Sequence, residues 1–180
     1  MSESAEGRGL RDYIRQKGQA MRAAAAAKPN AGDWHEVVSA TCVADDATGV
    51  RKLRMRDWQL TGDSGPDFGG WGLGPSSPEL LCGVISTCLT HTYLIAAAWL
   101  AIPVDRVEVS VTSANNDAHL LEIASDDPPV PFNLQARISL DADADAATPE
   151  QLATLHAYAA ERCPLSNLIR EPNTITLLTE

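Results

Sequence analysis

The side chains best suited to chemistry in this 180-residue sequence are its four cysteines, Cys42, Cys82, Cys88 and Cys163. A buried free cysteine most often acts only as a small hydrophobe, and that interpretation fits Cys42, in a predicted strand, and Cys82. Cys82 and Cys88 share one predicted helix, where a separation of six residues places them roughly 240° apart around the axis at about 100° per residue. They cannot both face one site.

Cys88 is the better candidate of these two because small polar residues surround it inside an apolar helix. Ser86, Thr87 and Thr90 lie close to it in sequence, and His91 follows about one turn later. Polar groups in the middle of an apolar helix need hydrogen-bond partners, and a cavity or an active site is one place where they find them.

Cys163 stands directly before Pro164, at the predicted N-cap of a short helical turn. Free backbone N–H groups and the positive end of the helix dipole favour a thiolate at such a position. Two thiols on separate elements, one buried and one at a helix terminus, would form a redox pair if the fold brought them together. The sequence by itself does not show that they meet.

The order of helices and strands along the chain is typical of an α+β domain with helices packed against an antiparallel sheet. Caps and apolar periodicity predict helices over residues 8–27, 78–101 and 148–162, and a short turn over 164–170. Strands are predicted over 35–43, 50–60, 104–111, 119–125, 132–141 and 174–178. The length favours one compact domain, and the first helix precedes it as an appendage that packs on it or on a second subunit.

Charge and hydropathy exclude several classes of function. The 24 acidic and 14 basic residues give a net charge of -10, which repels phosphate backbones and anionic membranes, so neither nucleic acid nor a membrane is an expected partner. The first 18 residues lack the apolar core of a signal peptide, and polar residues interrupt the apolar helix over 78–101. We therefore expect a cytoplasmic protein with reduced thiols and no disulfide scaffold.

Two patterns that suggest a cofactor or a metal fail on inspection. The glycine-rich segment 69–74 precedes a helix, but a dinucleotide fingerprint that starts at Gly70 needs a glycine where Pro75 stands. The four cysteines and four histidines include no C-x-x-C or H-x-x-x-H pair. The sequence predicts neither a bound cofactor nor a metal site.

Two motifs carry a resemblance to a known family. The stretch GGWGLGPSSPELLCGVISTCLTHTYLIAAAWLAIPVDRVEVSV, over residues 69–111, and ERCPLSNLIREPNTITL, over residues 161–177, resemble the OsmC/Ohr family of osmotically inducible and organic hydroperoxide resistance proteins. The resemblance implies an α+β fold with antiparallel sheets packed around a long central helix. It also implies an intertwined homodimer with two active sites at the subunit interface. We expect residues 1–33 to form a helical extension and residues 34–180 to form the OsmC-like domain.

The resemblance also implies roles for individual residues. Cys88 would be the peroxidatic cysteine that attacks an organic hydroperoxide, and Cys163 would resolve the sulfenic acid as a disulfide. A dithiol of the lipoyl type would then reduce that disulfide, and no metal or cofactor is implied. Glu79, nine residues before Cys88 (88 − 79 = 9), corresponds to a glutamate of the peroxidase branch, although it also suits a helix start. Arg51 is the nearest candidate for that branch's thiolate-binding arginine.

The predicted function is therefore that of a thiol-dependent peroxidase that reduces organic hydroperoxides in oxidative stress defence. The alternative is a small-ligand-binding protein of the same fold, without redox turnover. A third interpretation makes all four cysteines packing residues.

Overall fold

The computed structural model describes residues 9–143, 146–171 and 173–178, and in that part of the chain the fold is α+β. The helices are α1 (Leu10–Ala27), α2 (Ser77–Leu100), α3 (Pro149–Arg162) and α4 (Pro164–Arg170), and the strands are β1 (Thr41–Val43), β2 (Arg51–Met55), β3 (Trp58–Gly62), β4 (Arg106–Ala114) and β5 (Phe132–Asp141). Short 3-10 turns cover Ala31–Trp34, Pro66–Phe68 and Asp117–Leu121. Residue 8, where the first helix was predicted to begin, and the rest of the extension before it lie outside the described residues.

The strands form two small sheets. Strands β1, β2 and β3 make an antiparallel sheet in that order, with Leu53 of β2 opposite Cys42 on one side and Leu60 on the other. Strand β4 pairs with β5 in a second, two-stranded sheet. The sheets are thus smaller than the single sheet that the sequence suggested.

Four of the predicted strands differ from the structure. The segment 50–60 is a hairpin rather than one strand, because Arg56 takes a left-handed conformation (φ 53°) and reverses the chain. The segment 35–43 is a strand only over Thr41–Val43, where β2 is available as a partner. The segment 119–125 begins in a 3-10 turn that the side chain of Asn116 caps by accepting the N–H of Ala118. Residues 173–178 form no strand, and their β-branched pattern finds no pairing partner.

The chain divides into two compact units. The first contains the described residues of 9–29, 85–111 and 136–178, and the second contains residues 30–84 and 112–135. Helix α1 belongs to the first unit, whereas the start of α2 belongs to the second. The predicted domain boundary at residue 33 stays a prediction.

Small residues allow the helices of the first unit to approach closely. Gly18 of α1 faces the carbonyl oxygen of Ala98 in α2, and a Cβ at this position would overlap that oxygen. Leu155 of α3 is fully buried in the same core. The buried members of this core are Ile14, Tyr93, Ala96, Ala97, Ala98, Ile102, Val104, Ala147, Leu155 and Ala159.

Helix α2 is long and apolar enough to cross a membrane by length and composition alone. Its residues Leu89, Tyr93, Ala96, Ala97 and Ala98 are nevertheless buried against other parts of the protein. A helix that contributes this many side chains to a core is typical of the interior of a domain.

In the second unit a single carboxylate organises the glycine-rich loop that precedes α2. Asp63 is 1% exposed, and its carboxylate accepts the backbone N–H groups of Ser64 (2.8 Å), Trp71 (3.1 Å) and Leu73 (3.0 Å). The N–H groups of Leu73 and Ser64 hold the pKa of Asp63 below its usual value, against the effect of burial. Arg51 donates to the Asp63 carbonyl (2.7 Å) and fixes the other side of the residue.

Candidate active site: a pair of cysteines

The structure brings Cys88 and Cys163 together inside the first unit. Cys88 lies in the middle of α2, and Cys163 joins α3 to α4, as the C-cap of one helix and the N-cap of the other. The two Sγ atoms are 3.7 Å apart, which is within hydrogen-bond distance for sulfur. Both cysteines are free thiols.

The local sequence explains why backbone donors are available beside the sulfurs. Pro164 occupies the first position of α4 and has no N–H. The N–H of Asn167 already donates to the carbonyl of Cys163 (3.0 Å). Of the first N–H groups of α4, those of Leu165 and Ser166 remain for other acceptors. Hydrogen bonding from the Leu165 N–H lowers the pKa of Cys88, and hydrogen bonding from the Ser166 N–H lowers that of Cys163.

Cys163 is the more acidic thiol of the pair. Burial raises its pKa, but the hydroxyl and the backbone N–H of Ser166 stabilise the thiolate and more than offset this effect, so the pKa lies below that of an ordinary cysteine. Cys88 and Thr92 act in the same direction as Ser166. The direction agrees with the one expected from the position of Cys163 before Pro164.

Cys88 is the less acidic thiol. Burial raises its pKa, and the neighbouring Cys163 raises it further, whereas the Leu165 N–H and the hydroxyl of Thr92 lower it only in part. The first proton to leave the pair therefore comes from Cys163, and Cys88 then holds the remaining one.

The more acidic cysteine of the pair is the less accessible one. Cys163 is 0% exposed, whereas Cys88 is only partly buried. A substrate from solution therefore reaches Cys88 more readily than Cys163. The pair combines an accessible thiol of raised pKa with a buried thiol of lowered pKa.

Thr92 is a member of the site that the sequence analysis missed. It lies one turn after Cys88 in α2, and its hydroxyl donates to the Cys88 carbonyl oxygen (2.9 Å). The signal that could have found it is its i,i+4 spacing from Cys88, which places both residues on one helix face. Ser166 lay within a quoted motif but was not assigned a role.

Glu79 and Arg51, both in the second unit, have structural partners there. The carboxylate of Glu79 accepts from the backbone N–H and the hydroxyl of Ser76 (2.7 Å each). These hydrogen bonds lower the pKa of Glu79 and complete a capping box at the start of α2. The helix therefore starts at Ser77, one residue earlier than predicted, with Ser76 as its cap.

The other two cysteines belong to the second unit. Cys82 is partly buried, and its sulfur is 3.5 Å from the hydroxyl of Ser113 in the second unit. Cys42 lies on β1 as predicted, but it is exposed rather than packed in a core. Within residues 9–143, 146–171 and 173–178, no group of three or more histidine, cysteine or acidic side chains is placed to bind a metal ion.

Comparison with known proteins identifies the family. The sequence model described as OsmC-like protein matches residues 69–178, more than half of the chain, including both cysteines of the pair. The chain belongs to the OsmC-like protein family. Comparison with curated proteins gives no match.

Solved structures of OsmC-like proteins share the fold. The chain is similar to an OsmC-like protein from Mycoplasma pneumoniae, with a TM-score of 0.58 at 16% identity over 75% of this chain and 88% of the other. It is similar to an organic hydroperoxide resistance protein from Legionella pneumophila (TM-score 0.54, 18% identity, 75% and 90% covered). It is also similar to an OsmC-like protein of unknown function from Vibrio cholerae (0.57, 12%, 74% and 94%). These neighbours support the α+β fold with small antiparallel sheets.

Proposed function

We propose that this OsmC-like protein is a thiol-dependent peroxidase that reduces organic hydroperoxides through Cys88 and Cys163. The observation that carries the proposal is the 3.7 Å separation of the two Sγ atoms, contributed by residues 75 positions apart. Membership of a family that includes organic hydroperoxide resistance proteins supports the choice of substrate.

In the first step the sulfur of Cys88 attacks the O–O bond of the hydroperoxide. Cys88 is the accessible thiol and has the raised pKa, and Cys163, once ionised, is close enough to accept the Cys88 proton as a general base. The S–O bond forms as the O–O bond breaks. Cys88 becomes a sulfenic acid, and the alkoxide leaves as an alcohol after taking a proton from water.

In the second step Cys163 attacks the sulfur of the Cys88 sulfenic acid. The S–S bond forms as the S–O bond breaks, and the hydroxide leaves with the thiol proton of Cys163 as water. A dithiol reductant of the lipoyl type then exchanges with this disulfide and restores both thiols. The cycle uses no metal or bound cofactor.

A homodimer is the assembly that we propose for this chain. One face of the sheet of β1, β2 and β3 exposes large apolar side chains, among them Trp58 (68%), opposite Met55, and Leu60 (41%), opposite Leu53. A three-stranded sheet needs an apolar face covered to be stable. A second copy of the chain would supply that cover, and sedimentation should give twice the mass of one chain.

Two further assignments stay proposals. Glu79 would contribute to catalysis only if its carboxylate left the capping box, in which it accepts hydrogen bonds from the backbone N–H and the hydroxyl of Ser76. Stabilisation of the start of α2 is the competing explanation for the presence of this residue. The cytoplasmic location also stays a prediction.

The proposal is tested by the consumption of cumene hydroperoxide with dihydrolipoamide as the reductant. We expect turnover by the unchanged protein and by Cys82→Ser, and none by Cys88→Ser. Cys163→Ser should oxidise more slowly, because it lacks the base, and should stop after one oxidation with a sulfenic acid on Cys88 that dimedone traps. Absence of turnover in the unchanged protein, or full turnover in Cys88→Ser, would reject the mechanism.

The alternative function is binding of a small ligand without redox turnover. The raised pKa of Cys88, caused first by its burial, favours this alternative because a protonated thiol is a poor nucleophile. A protein that leaves the hydroperoxide intact, with both thiols still reduced after exposure to it, would support binding rather than catalysis.

A further inference from the structure

Thr92 is a buried polar side chain for which the two-cysteine cycle has no use. It is 5% exposed and sits among the apolar residues of α2. A buried hydroxyl must find a partner, and Thr92 finds it in the carbonyl oxygen of Cys88, at 2.9 Å. The carbonyl belongs to the residue that the cycle oxidises.

The hydroxyl of Thr92 lies one helical turn from Cys88, whose Sγ is 3.7 Å from that of Cys163. Hydrogen bonding by this hydroxyl lowers the pKa of Cys88 and that of Cys163. A threonine hydroxyl has one proton to donate, so it serves the carbonyl or one of the sulfurs, but not two of them at once. Threonine in a helix populates two χ1 rotamers, one of which bonds back to the preceding turn.

We propose that Thr92 is the positioning residue of the cysteine pair: its hydroxyl holds the Cys88 carbonyl while the sulfurs are protonated and turns to donate to whichever sulfur is ionised. The inference rests on the proposed function in that it takes Cys88 and Cys163 as the reactive pair. The Thr92 hydroxyl donates one hydrogen bond in each state of the cycle, and the acceptor changes with the ionisation of the sulfurs. Thr92 itself forms no bond to the hydroperoxide.

The chain offers a matched control for this hydrogen bond. In α3 the hydroxyl of Thr154 donates to the carbonyl of Glu150 at 2.8 Å, with the same i,i+4 geometry. Thr154 is exposed and no sulfur interacts with it. Thr154→Val thus removes the same kind of bond from a helix without touching the pair.

The experiment measures alkylation of each cysteine by iodoacetamide as a function of pH, read by peptide mass spectrometry. Thr92→Val keeps the branched shape but loses the hydroxyl. A hydrogen bond to a charged group is worth about one pKa unit or more, and the single hydroxyl proton is donated to one sulfur at a time, so we expect the lower of the two midpoints, that of Cys163, to rise by about one unit. Alkylation of the pair at pH 7 should slow by about tenfold.

Thr92→Ser should keep the midpoints of the unchanged protein, as should Thr154→Val. A folded Thr92→Val variant with unchanged midpoints would overturn the proposal, and so would a Thr92→Ser variant that shifts as much as Thr92→Val. If Thr92→Val does not fold, Thr92→Ser and Thr92→Ala give the same comparison, because they differ by one hydroxyl. No hydroperoxide is used, so failure of peroxidase activity and failure of this proposal give separate results.

Discussion

Oxidation of the protein should join Cys88 to Cys163 and to no other cysteine. The sulfurs are 3.7 Å apart, and a disulfide bond is about 2.05 Å long, so they must approach by about 1.6 Å. A rotation of one side chain or a small shift of the short helix α4 covers this distance. Cys42 and Cys82 belong to the second unit and should stay reduced.

The disulfide should also raise the free energy of unfolding. It closes a loop of 75 residues, for which the loss of chain entropy in the unfolded state corresponds to about 4 kcal/mol at 25 °C. Strain from the approach of the sulfurs lowers this value, so it is an upper limit. We therefore expect a gain between about 2 and about 4 kcal/mol.

The assay is guanidinium denaturation of the oxidised and the reduced protein at one fixed concentration, after peptide mapping of the disulfide. Cys82→Ser is the control and should gain as much stability on oxidation as the unchanged protein, whereas Cys163→Ser should gain none. A disulfide that includes Cys42 or Cys82, or an oxidised protein no more stable than the reduced one, would refute the geometry on which this reasoning depends.

Four other substitutions test separate parts of the structure. Ser166→Ala should move the alkylation midpoint of Cys163 to higher pH, because the thiolate loses a hydroxyl donor that lowers its pKa. Asp63→Asn should lower the melting temperature at pH 7. The pKa of Asp63 is lower in the folded than in the unfolded protein, so its carboxylate stabilises the fold above the unfolded pKa and loses this effect as the pH falls through the folded pKa. The melting temperatures of the variant and the unchanged protein should therefore converge in acid. Gly18→Ala should destabilise the protein by about 1 to 3 kcal/mol, because overpacking outweighs the gain in helix propensity of about 1 kcal/mol. Gly83→Ala, whose Cβ would meet no atom within 4 Å in helix α2, should instead stabilise it by about 1 kcal/mol in the same thermal or denaturant unfolding.

Helix boundaries were predictable because local chemistry determines them. Thr148 caps α3 by accepting the N–H of Gln151, and Pro149 occupies the first turn, as the sequence indicated. Pro164 likewise begins α4. Capping depends on residues within one turn of each other, so a single sequence contains the information.

Strands were predicted less well because a strand needs a partner from elsewhere in the chain. The segments 119–125 and 174–178 have the alternating pattern of a strand, but none of the described strands pairs with either of them. In the first of these, the local hydrogen bond from Ala118 to Asn116 favours a turn. Side-chain pattern alone does not supply the pairing.

For the candidate site, the sequence indicated the two cysteines but not their distance or their difference in acidity. Their contact depends on the packing of α4 against α2, which no local pattern encodes. Thr92 was not predicted because a threonine among the apolar residues of a helix gives no sequence signal for a site. Its role follows from its hydrogen bond to the Cys88 carbonyl and its effect on the pKa of both thiols. The resemblance to a known family identified the pair, whereas the hydrogen-bond donors around the two sulfurs are visible only in the folded structure.

Helix α1 lies outside the residues that match the family, yet it closes part of the core. The family match begins at residue 69, yet Ile14 is almost fully buried and Gly18 fits against Ala98. A protein shortened to residues 69–178 would keep both cysteines of the pair but would expose an apolar face of α2 to water. Such a fragment would be prone to aggregate, and its loss of activity would reveal nothing about the chemistry of the thiols.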